Sequence, residues 1–348
     1  MESTNDADLL GFEPHEPEVR RKGRKWSWIV VGAIVLVLVL TAGVGVVYLW
    51  NLNRTYSENV TTLDQSESFP DVSLRPAPVE DEHADARNIL LLGSDTRGDV
   101  GDDLDDISGQ RSDTMMVVHI PSDNSGVQVM SLMRDNWVEI PGYGEAKLNA
   151  ALSYGGVPLA VQTIEGIIDV RIDHVAIIDF EGFKGLTDAL GGVDVENAVP
   201  FTRDGFTYRQ GRISLNGEQA LGFVRERYSF TDGDYQRVRN QQAYIKGLVR
   251  TILSRETLTD PGKITNMVGA ISPYLTVDSG LDGPTIVDLG VRLRELKPED
   301  IDFFTSPTLG TGTSADGQSI VRPDWDEIEK VATAFREDAV AEYLANAY

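Results

Sequence analysis

Short apolar runs alternate with longer amphipathic segments along the chain from residue 88 onwards. The apolar runs are bounded by glycine and polar turn residues, which is the pattern of buried β-strands. The predicted strands are NILLLG (88–93), TMMVVHI (114–120), VQVMSLM (127–133), HVAIIDF (174–180), VDVE (193–196) and IDFFT (301–305).

The amphipathic segments between these strands have helical periodicity. Helices are predicted over KLNAALSYGG, PLAVQTIEGIIDV, FEGFKGLTDALGG and LNGEQALGF, from Tyr235 to about Ser254, and near 284–296 and 324–344. In LNGEQALGF, Asn216 is the predicted N-cap and Gln219 completes a capping box. The alternation of strands and helices predicts an α/β fold, a three-layer α/β/α sandwich with a mixed central sheet. We expect residues 87–348 to form one domain, because no linker interrupts them.

A different pattern precedes this domain. Residues 26–50 are an apolar run without a charged residue, flanked by tryptophans. About 20 apolar residues span the ~30 Å hydrocarbon layer of a membrane, so this run predicts a transmembrane helix. Five basic residues lie within residues 20–25. They place residues 1–25 in the cytoplasm and the rest of the chain outside the cell membrane, a single-pass arrangement. The alternative is a cleaved signal peptide, but the run is too long and no small-residue cleavage site follows closely.

Residues 51–86 are polar and contain Pro70, Pro76 and Pro78. Their composition predicts an extracytoplasmic stalk between the membrane and the α/β domain.

Charge and composition exclude several classes of function. The net charge of the chain is −24 and cysteine is absent. Nucleic acid is therefore excluded as a partner, since phosphate backbones need a basic surface. Disulfides, thiolate zinc sites and cysteine nucleophiles are excluded too. The sequence also contains no Walker A, G-x-S-x-G or dinucleotide-binding motif.

One stretch is basic inside this acidic protein. Residues 200–250 hold nine Lys and Arg against five Asp and Glu, whereas the whole chain holds 31 against 55. Four arginines gather there: Arg225, Arg227, Arg237 and Arg239. They have two possible partners, the protein's own carboxylates or a phosphorylated ligand whose oxygens match the guanidinium fork.

Spacing favours a shared site. If FVRERY is extended, Arg225 and Arg227 point to one face. Asp234 is the predicted N-cap of the next helix, on which Arg237 and Gln241 share a face. Strand end, loop and helix start would then direct three arginines and one amide to one place.

The ends of the first three predicted strands also carry polar side chains. Ligands of open α/β folds bind at such ends. The residues are Asp95, Arg97, Arg111, Asp113, Arg134 and Asp135. Asp95 and Asp113 could hold a hard divalent cation, although either one alone is more often a turn residue or cap.

Several segments together resemble the LytR-CpsA-Psr family in matching order. They are NILLLGSDTR, RSDTMMVVHI, SLMRDNWVEIPGYGEAKLNAALSYGG, GGVDVENAVPF, LNGEQALGFVRERY and DYQRVRNQQ. The resemblance covers about residues 87–250. It implies a membrane-anchored phosphotransferase that moves a glycopolymer from a polyprenyl-pyrophosphate carrier to the C6 hydroxyl of N-acetylmuramic acid in peptidoglycan, with Mg²⁺ or Mn²⁺.

The resemblance also assigns roles by position. Asp95 and Asp113 look like the metal ligands, and Asp95, Arg111, Asp113 and Arg225 like the catalytic set. The pyrophosphate site would include Arg97, Arg134, Lys147, Arg225, Arg227, Arg237 and Gln241. The lipid would lie in an apolar tunnel within the fold. Asp113 or Asp95 is the candidate general base, although a metal-bound carboxylate is not free for that role.

Two positions depart from the family pattern. The family usually carries R-x-x-R-Q-Q where this chain has Arg237-Val-Arg-Asn-Gln-Gln. Asn240 therefore implies one positive charge fewer at the rim, which Arg239 cannot replace because it lies about 200° around the helix from Arg237. Met133 stands where proline is common, and we expect this to be mild.

The sequence therefore predicts a wall-polymer transferase, with two alternatives. A polyprenyl-pyrophosphate hydrolase would use the same residues with water as the acceptor. A non-catalytic wall-binding or regulatory module would need no chemistry at all.

Overall fold

The computed structural model describes residues 47–78, 83–94 and 112–347. The strands are β1 (Thr61–Leu63), β2 (Arg87–Ser94), β3 (Ser112–Ile120), β4 (Val127–Leu132), β5 (Trp137–Ile140), β6 (Gly144–Lys147), β7 (His174–Ile178), β8 (Val193–Asn197), β9 (Phe201–Arg203), β10 (Phe206–Tyr208), β11 (Gly211–Leu215), β12 (Leu275–Asp278), β13 (Ile301–Thr305), β14 (Thr308–Thr313) and β15 (Ser319–Pro323).

The helices surround these strands. They are α1 (47–59), α2 (Gln65–Ser68), α3 (Ala150–Ile168), α4 (Phe180–Ala189), α5 (Gly217–Arg225), α6 (Asp234–Ile252), α7 (Arg255–Leu258), α8 (Pro261–Ile271), α9 (Gly283–Arg292), α10 (Trp325–Arg336) and α11 (Val340–Ala347).

The described part of the chain contains a seven-stranded central sheet in the order β1-β12-β7-β2-β3-β4-β13. Strand β2 is parallel to β7 and antiparallel to β3, and β4 is parallel to β13. This confirms the predicted mixed sheet. The remaining strands form two-stranded hairpins and pairs outside it.

Helices cover both faces of the sheet because its central strands are apolar on both sides. Leu90 and Leu92 of β2 belong to the core that contains α3 and α10. Their neighbours Ile89 and Leu91 point to the other face, against residues of α6 and α9. Alternate residues of one strand therefore serve two cores, as a three-layer sandwich requires.

The predicted pair of helices after residue 147 is confirmed, because α3 consists of two helical parts separated by a break. Within α3, Gly155 and Gly156 have non-helical backbone angles, and Gly156 has a φ of 65°. Pro158 follows, at the start of the second helical part, where its missing N–H costs little. The break leaves Tyr154 at the end of the first part.

The segment expected to be a stalk is part of the fold over much of its described length. Strand β1 pairs in parallel with β12 at the edge of the central sheet. Leu63 and Phe69 are buried in the same core as β2. The stalk prediction for residues 51–86 is therefore wrong for this stretch, because short strands gain their stability from pairing that composition does not show.

The predicted transmembrane helix lies mostly outside the described residues. Only residues 47–50 of it are described, as the start of α1. Within the described ranges, every helix is too short or too polar to cross a bilayer.

A buried polar cluster joins the C-terminal helices to the sheet. His119 of β3 donates from Nε2 to Asp338 Oδ1 at 2.9 Å, and the other oxygen of Asp338 accepts from the backbone N–H of Ser122 at 2.9 Å and its hydroxyl at 2.6 Å. Asp338 has a φ of 53°, in the left-handed region. Burial alone would raise the pKa of Asp338, but the hydrogen bonds from His119 and Ser122 outweigh burial and hold that pKa at about 2.

Replacing this carboxylate tests its contribution to stability. Asp338→Asn keeps a side chain that tolerates the left-handed backbone but removes the charge. We expect the free energy of unfolding at neutral pH to fall by about 1–3 kcal/mol. The stabilisation by Asp338 is present above pH 3.8 and is lost as the pH falls toward 2, so the two proteins should converge in acid.

The matched control is Asp169→Asn, which has a similar φ of 52° but lies at an exposed ion pair with Arg336. Denaturant unfolding across pH measures both. An equal loss in the two variants, or a difference for Asp338→Asn that persists in acid, would contradict the assignment.

Candidate active site

A polar cavity of about 1070 Å³ opens beside the end of β4. Its walls come from the segment after β4, from β6 and the start of α3, from the loop between α5 and α6, and from the hairpin β14–β15. The charged residues that line it are Arg134, Asp135, Lys147, Arg227, Asp232 and Asp234.

Two carboxyl groups that are far apart in sequence share a hydrogen bond in this cavity. They belong to Asp135, just after β4, and Asp234, at the start of α6. Burial and the hydrogen bond to Asp234 raise the pKa of Asp135. Burial would also raise the pKa of Asp234, but the hydrogen bond from Asp135 and the nearby Arg237 and Arg134 hold it below its usual value. The pair therefore holds a proton on Asp135 more readily than on Asp234.

Cations surround this acid pair. Asp234 lies 3.2 Å from Arg237 Nη2, 3.5 Å from Arg134 Nε and 3.5 Å from Arg227 Nη1. Lys147 Nζ lies 3.2 Å from Asp135 Oδ1. Four cations face two carboxyl groups that share a hydrogen bond, so the cluster keeps an excess of positive charge. A phosphorylated ligand would find these cations already held in place.

A second cavity, of about 250 Å³, is lined in part by later residues of α6 and is almost wholly apolar. It extends between the sheet and helices α4, α5, α6 and α8. Its lining includes Leu92 and Ile178 from the sheet and Leu186 and Leu248 from the helices. Arg225 and Gln241 provide polar groups there, and the Arg225 guanidinium stacks 4.3 Å from the centre of the Phe180 ring. An apolar tunnel was expected within the fold, and this cavity has that character.

The two neighbouring arginines serve different cavities. The two arginines would point to one face if FVRERY were extended, but α5 runs through Arg225, and the extended residue Glu226 follows it, with φ −71° and ψ 132°. Arg225 therefore lines the apolar cavity, whereas Arg227 lines the polar one. The prediction that both point to one face is wrong, because the capping box at Asn216 starts a helix that continues to Arg225.

Amides of α6 hold the end of α5. Asn240 Nδ2 donates to the Phe223 carbonyl at 3.2 Å, and Gln241 Nε2 donates to the Val224 carbonyl at 3.4 Å. The last carbonyls of a helix lack partners within it, so these amides act as its C-terminal cap. Asn240 also accepts from Gln236 at 2.8 Å and is buried. It is a contact between helices, not a member of the rim where a missing charge was expected.

The start of α6 also differs in detail from the prediction. Gly233 occupies the N-cap position, and Asp234 is the first helical residue, with its carboxylate directed to the cations. Arg237 and Gln241 share the buried face as predicted. Arg239 pairs with Asp232 and with Gln236 and lines neither cavity, as its position on the helix predicted.

Several predicted site residues lie outside the described part of the chain. These are Asp95, Arg97 and Arg111, and the side chain of Asp113 is also not described. The described residues that flank this stretch lie side by side, because Ser94 at the end of β2 pairs with Ser112 at the start of β3.

Asp113 is the extra residue of a β-bulge in this pairing. Gly93 pairs with Thr114 and Ser94 with Ser112, so Asp113 has no opposite residue. Bulges redirect a side chain out of the regular alternation and are frequent beside active sites. Two carboxylates, one directly after β2 and one at the bulge, fit the oxygen ligands of a hard divalent cation. Among the described residues, no three acidic or histidine side chains gather in a way that would hold a metal.

Comparison with known proteins identifies the family. The LytR_cpsA_psr family model matches residues 46–337. The chain belongs to the LytR-CpsA-Psr family. It is 32% identical over 313 residues to the polyisoprenyl-teichoic acid–peptidoglycan teichoic acid transferase TagU of Enterococcus faecalis, covering 89% of this chain and 96% of that protein. It is 31% identical to the cell wall biosynthesis protein LcpA of Corynebacterium glutamicum, covering 74% of this chain and 56% of LcpA.

The fold is also similar to solved structures. The protein gbs0355 from Streptococcus agalactiae superposes with a TM-score of 0.64 at 26% identity, covering 73% of this chain and 88% of that chain. The resemblance that the sequence motifs indicated is therefore confirmed, together with the mixed α/β fold.

The sequence motifs do not predict that Asp135 and Asp234 form an acid pair in the site. Asp135 was noted only as a neighbour of Arg134, and Asp234 only as a cap. A signal was present, because both are acids directly beside arginines at the ends of predicted elements. Their pairing requires the fold, which brings the end of β4 to the start of α6.

Replacing each acid by its amide distinguishes their roles. Asp234→Asn removes the anion that faces three arginines, including the buried Arg237, and we expect it to lower the free energy of unfolding by about 3–5 kcal/mol. Asp135→Asn keeps a hydrogen-bond donor toward Asp234, and we expect a change below about 1 kcal/mol at neutral pH.

The pH dependence of the free energy of unfolding shows whether ionised Asp135 stabilises or destabilises the fold. A raised pKa in the fold means that Asp135 destabilises the protein progressively as pH rises above 3.8. Asp135→Asn should therefore gain stability relative to the wild type over that range, as followed by denaturant unfolding at several pH values. A larger loss from Asp135→Asn than from Asp234→Asn would show that the proton is held on the other carboxyl.

Proposed function

We propose that the protein is a phosphotransferase that attaches a glycopolymer from a polyprenyl-pyrophosphate carrier to peptidoglycan. The observation that carries this proposal is the pair of cavities flanking residues 225–241, one apolar and one polar with cationic walls. A donor of this class has three parts, which are an apolar chain, a charged pyrophosphate and a hydrophilic polymer.

The three parts match the local chemistry. The apolar cavity suits polyprenyl, because its exposed lining is almost entirely hydrocarbon. Arg225 and Gln241 at that cavity and Arg134, Lys147 and Arg227 at the other suit the pyrophosphate oxygens. The polymer would pass from the cationic end of the larger polar cavity into solvent. The names of the relatives in Enterococcus and Corynebacterium support this class of substrate, teichoic acid in the first and cell wall material in the second.

Transfer requires a nucleophile and a leaving group in line. The acceptor hydroxyl oxygen forms a bond to the phosphorus that carries the polymer, and the bond from that phosphorus to the bridging oxygen breaks. Polyprenyl phosphate leaves with that electron pair. The arginines stabilise the charge that develops on it.

The hydroxyl proton needs an acceptor. Asp135 suits this role among the described carboxylates when it is ionised, because its raised pKa then makes it a better base than Asp234. Asp95 and Asp113 were the candidates from sequence, but both are proposed below as metal ligands.

Asp95 and Asp113 would hold Mg²⁺ or Mn²⁺. When bound, the ion would neutralise charge on the phosphate oxygens. The carboxylate oxygens of both residues and the position of Asp113 at the bulge between β2 and β3 support this assignment.

Residues 26–50 are proposed to anchor the enzyme in the cell membrane, with the catalytic domain outside. Their apolar composition and the basic cluster before them support this topology. Donor and enzyme would then share one membrane plane, which brings the lipid to the apolar cavity.

The arginine at the apolar cavity gives the first test. Arg225→Ala removes a charge-assisted contact to the pyrophosphate, and we expect transfer to fall by about 10- to 100-fold. Transfer is measured as labelled polymer bound to peptidoglycan. Arg239→Ala is the matched control, because Arg239 lies on the same segment but lines neither cavity, and it should stay within about threefold of the wild type.

The same assay separates the alternatives. A hydrolase would release polyprenyl phosphate equally with and without peptidoglycan, and no polymer would become bound. If the protein were a non-catalytic module, cells carrying Arg225→Ala would keep their normal content of attached polymer.

Chelation tests the metal. Removing divalent cations with excess chelator should lower the transfer rate by about 100-fold or more, since the charge on the phosphates would lose one of its main counterions. Added Mg²⁺ or Mn²⁺ should restore it. An unchanged rate in chelator would show that Asp95 and Asp113 hold no essential ion.

A further inference from the structure

We propose that the outer half of the polar cavity is a binding subsite for the uncharged sugar chain of the acceptor. The subsite lies between an aromatic plate, Tyr143 and Tyr154, and a neutral wall formed by hairpin β14–β15. The inference rests on the proposed function for the identity of the acceptor, and it assigns the residues that would position it.

The aromatic plate is a fixed pair of stacked rings that is partly exposed to solvent. The rings of Tyr143 and Tyr154 stack with their centroids 4.8 Å apart and an interplanar angle of 21°. The Tyr143 hydroxyl donates to the Tyr154 carbonyl at 3.1 Å, which fixes the pair. Both side chains are nevertheless about half exposed, at 57% and 47%. Aromatic rings left in solvent beside a cavity are typical of a binding surface.

The fold places this plate beside the charged cluster. Tyr143 lies in the turn between β5 and β6, and β6 ends at Lys147, which pairs with Asp135. Tyr154 lines the cavity itself and ends the first part of α3, directly before the glycine break. A ligand stacked on Tyr154 would therefore extend toward the acid pair.

The opposite wall carries no charge. The residues that the hairpin contributes to the cavity are Gly310, Thr311, Gln318, Ser319, Ile320 and Val321. Thr311, Gln318 and Ser319 are exposed and offer hydroxyl and amide groups. Hydroxyl and amide groups exchange hydrogen bonds with sugar hydroxyls and acetamido groups, and an aromatic face packs against the C–H face of a sugar ring. This combination suits a neutral glycan better than a phosphate.

The hairpin is tied to both sides of the acid pair. The Val321 backbone N–H donates to the Asp135 carbonyl at 2.8 Å. The Tyr235 hydroxyl, next to Asp234, lies 2.8 Å from Thr308 Oγ1. The neutral wall is thus held at two points adjacent to the carboxyls. A sugar bound on it would present a hydroxyl to the place where the proposed reaction occurs.

The size of the cavity agrees with two occupants. Its volume of about 1070 Å³ slightly exceeds the usual range for ligand sites, and a pyrophosphate alone would not fill it. The cationic residues cluster around Asp135 and Asp234, and the rest of the lining is left for an uncharged ligand.

The test uses the full-length protein in detergent, and the probe is a peptidoglycan tetrasaccharide whose lactyl carboxyl groups are capped as amides, so that it carries no charge. Calorimetry measures its binding, and a transfer assay gives the KM for it as acceptor. The test variant is the double substitution Tyr154→Ala and Thr311→Val. We expect it to weaken tetrasaccharide binding and raise the acceptor KM by about 10-fold or more, from one lost stacking contact and one lost hydrogen bond. Affinity for the polyprenyl-pyrophosphate donor should stay within about twofold, which also reports that the variant is folded.

The matched control combines Tyr154→Phe and Thr313→Val. Phenylalanine keeps the ring, and Thr313 is an exposed residue of the same strand that does not line the cavity. It should bind the tetrasaccharide like the wild type. The subsite is overturned if the test variant binds the tetrasaccharide as tightly as the control, or if the wild type does not bind it. A wild type that binds the tetrasaccharide but transfers no polymer to it would instead overturn the proposed function.

Discussion

Helix α6 buries a row of polar side chains where a core helix ordinarily buries aliphatic ones. Gln236, Arg237, Asn240 and Gln241 are all nearly inaccessible to solvent. A buried polar group is costly unless it finds a partner. The partners include the last carbonyls of α5, so the end of that helix and the position of Arg225 depend on amides of α6.

The same helix is fixed to the sheet by polar contacts on another side. Gln242 Nε2 donates to the Phe304 carbonyl of β13 and to Ser131 of β4, each at 3.0 Å. Further along, Gly247 allows close contact with β8, where a Cβ atom would lie 2.3 Å from the Asp194 carbonyl oxygen. These specific contacts set the depth and rotation of α6. Asp234, at its first turn, is thereby held among the cations.

The sequence was most informative where a pattern is local. Buried strands such as β2 and β3 were predicted from their apolar runs, and the capping box at Asn216 correctly marked the start of α5. The two-residue spacing of the arginines in FVRERY suggested an extended segment. That prediction was wrong, because a spacing of two in a short segment is weaker evidence than a helix that already begins upstream. Strand β1 was missed because its three residues are held by pairing with β12, which lies far along the chain.

For the site residues too, local patterns were predictable and tertiary contacts were not. Helical spacing, which is a local pattern, predicted that Arg237 and Gln241 of α6 share a face. The pairing of Asp135 with Asp234 and the neutral wall of β14–β15 needed tertiary structure. Asn240 shows the limit of reasoning by analogy: a residue expected at a rim lies instead between two helices.

Glu226 separates two guanidinium groups that face different surroundings, one beside hydrocarbon and one beside water. Under the proposed function, the bond that breaks would lie at the boundary between these phases. The two products would then part by solubility, with polyprenyl phosphate retained on the oily side and the linked polymer released to the aqueous wall. Such a partition would keep the two products apart after the pyrophosphate bond breaks and would slow the reverse transfer.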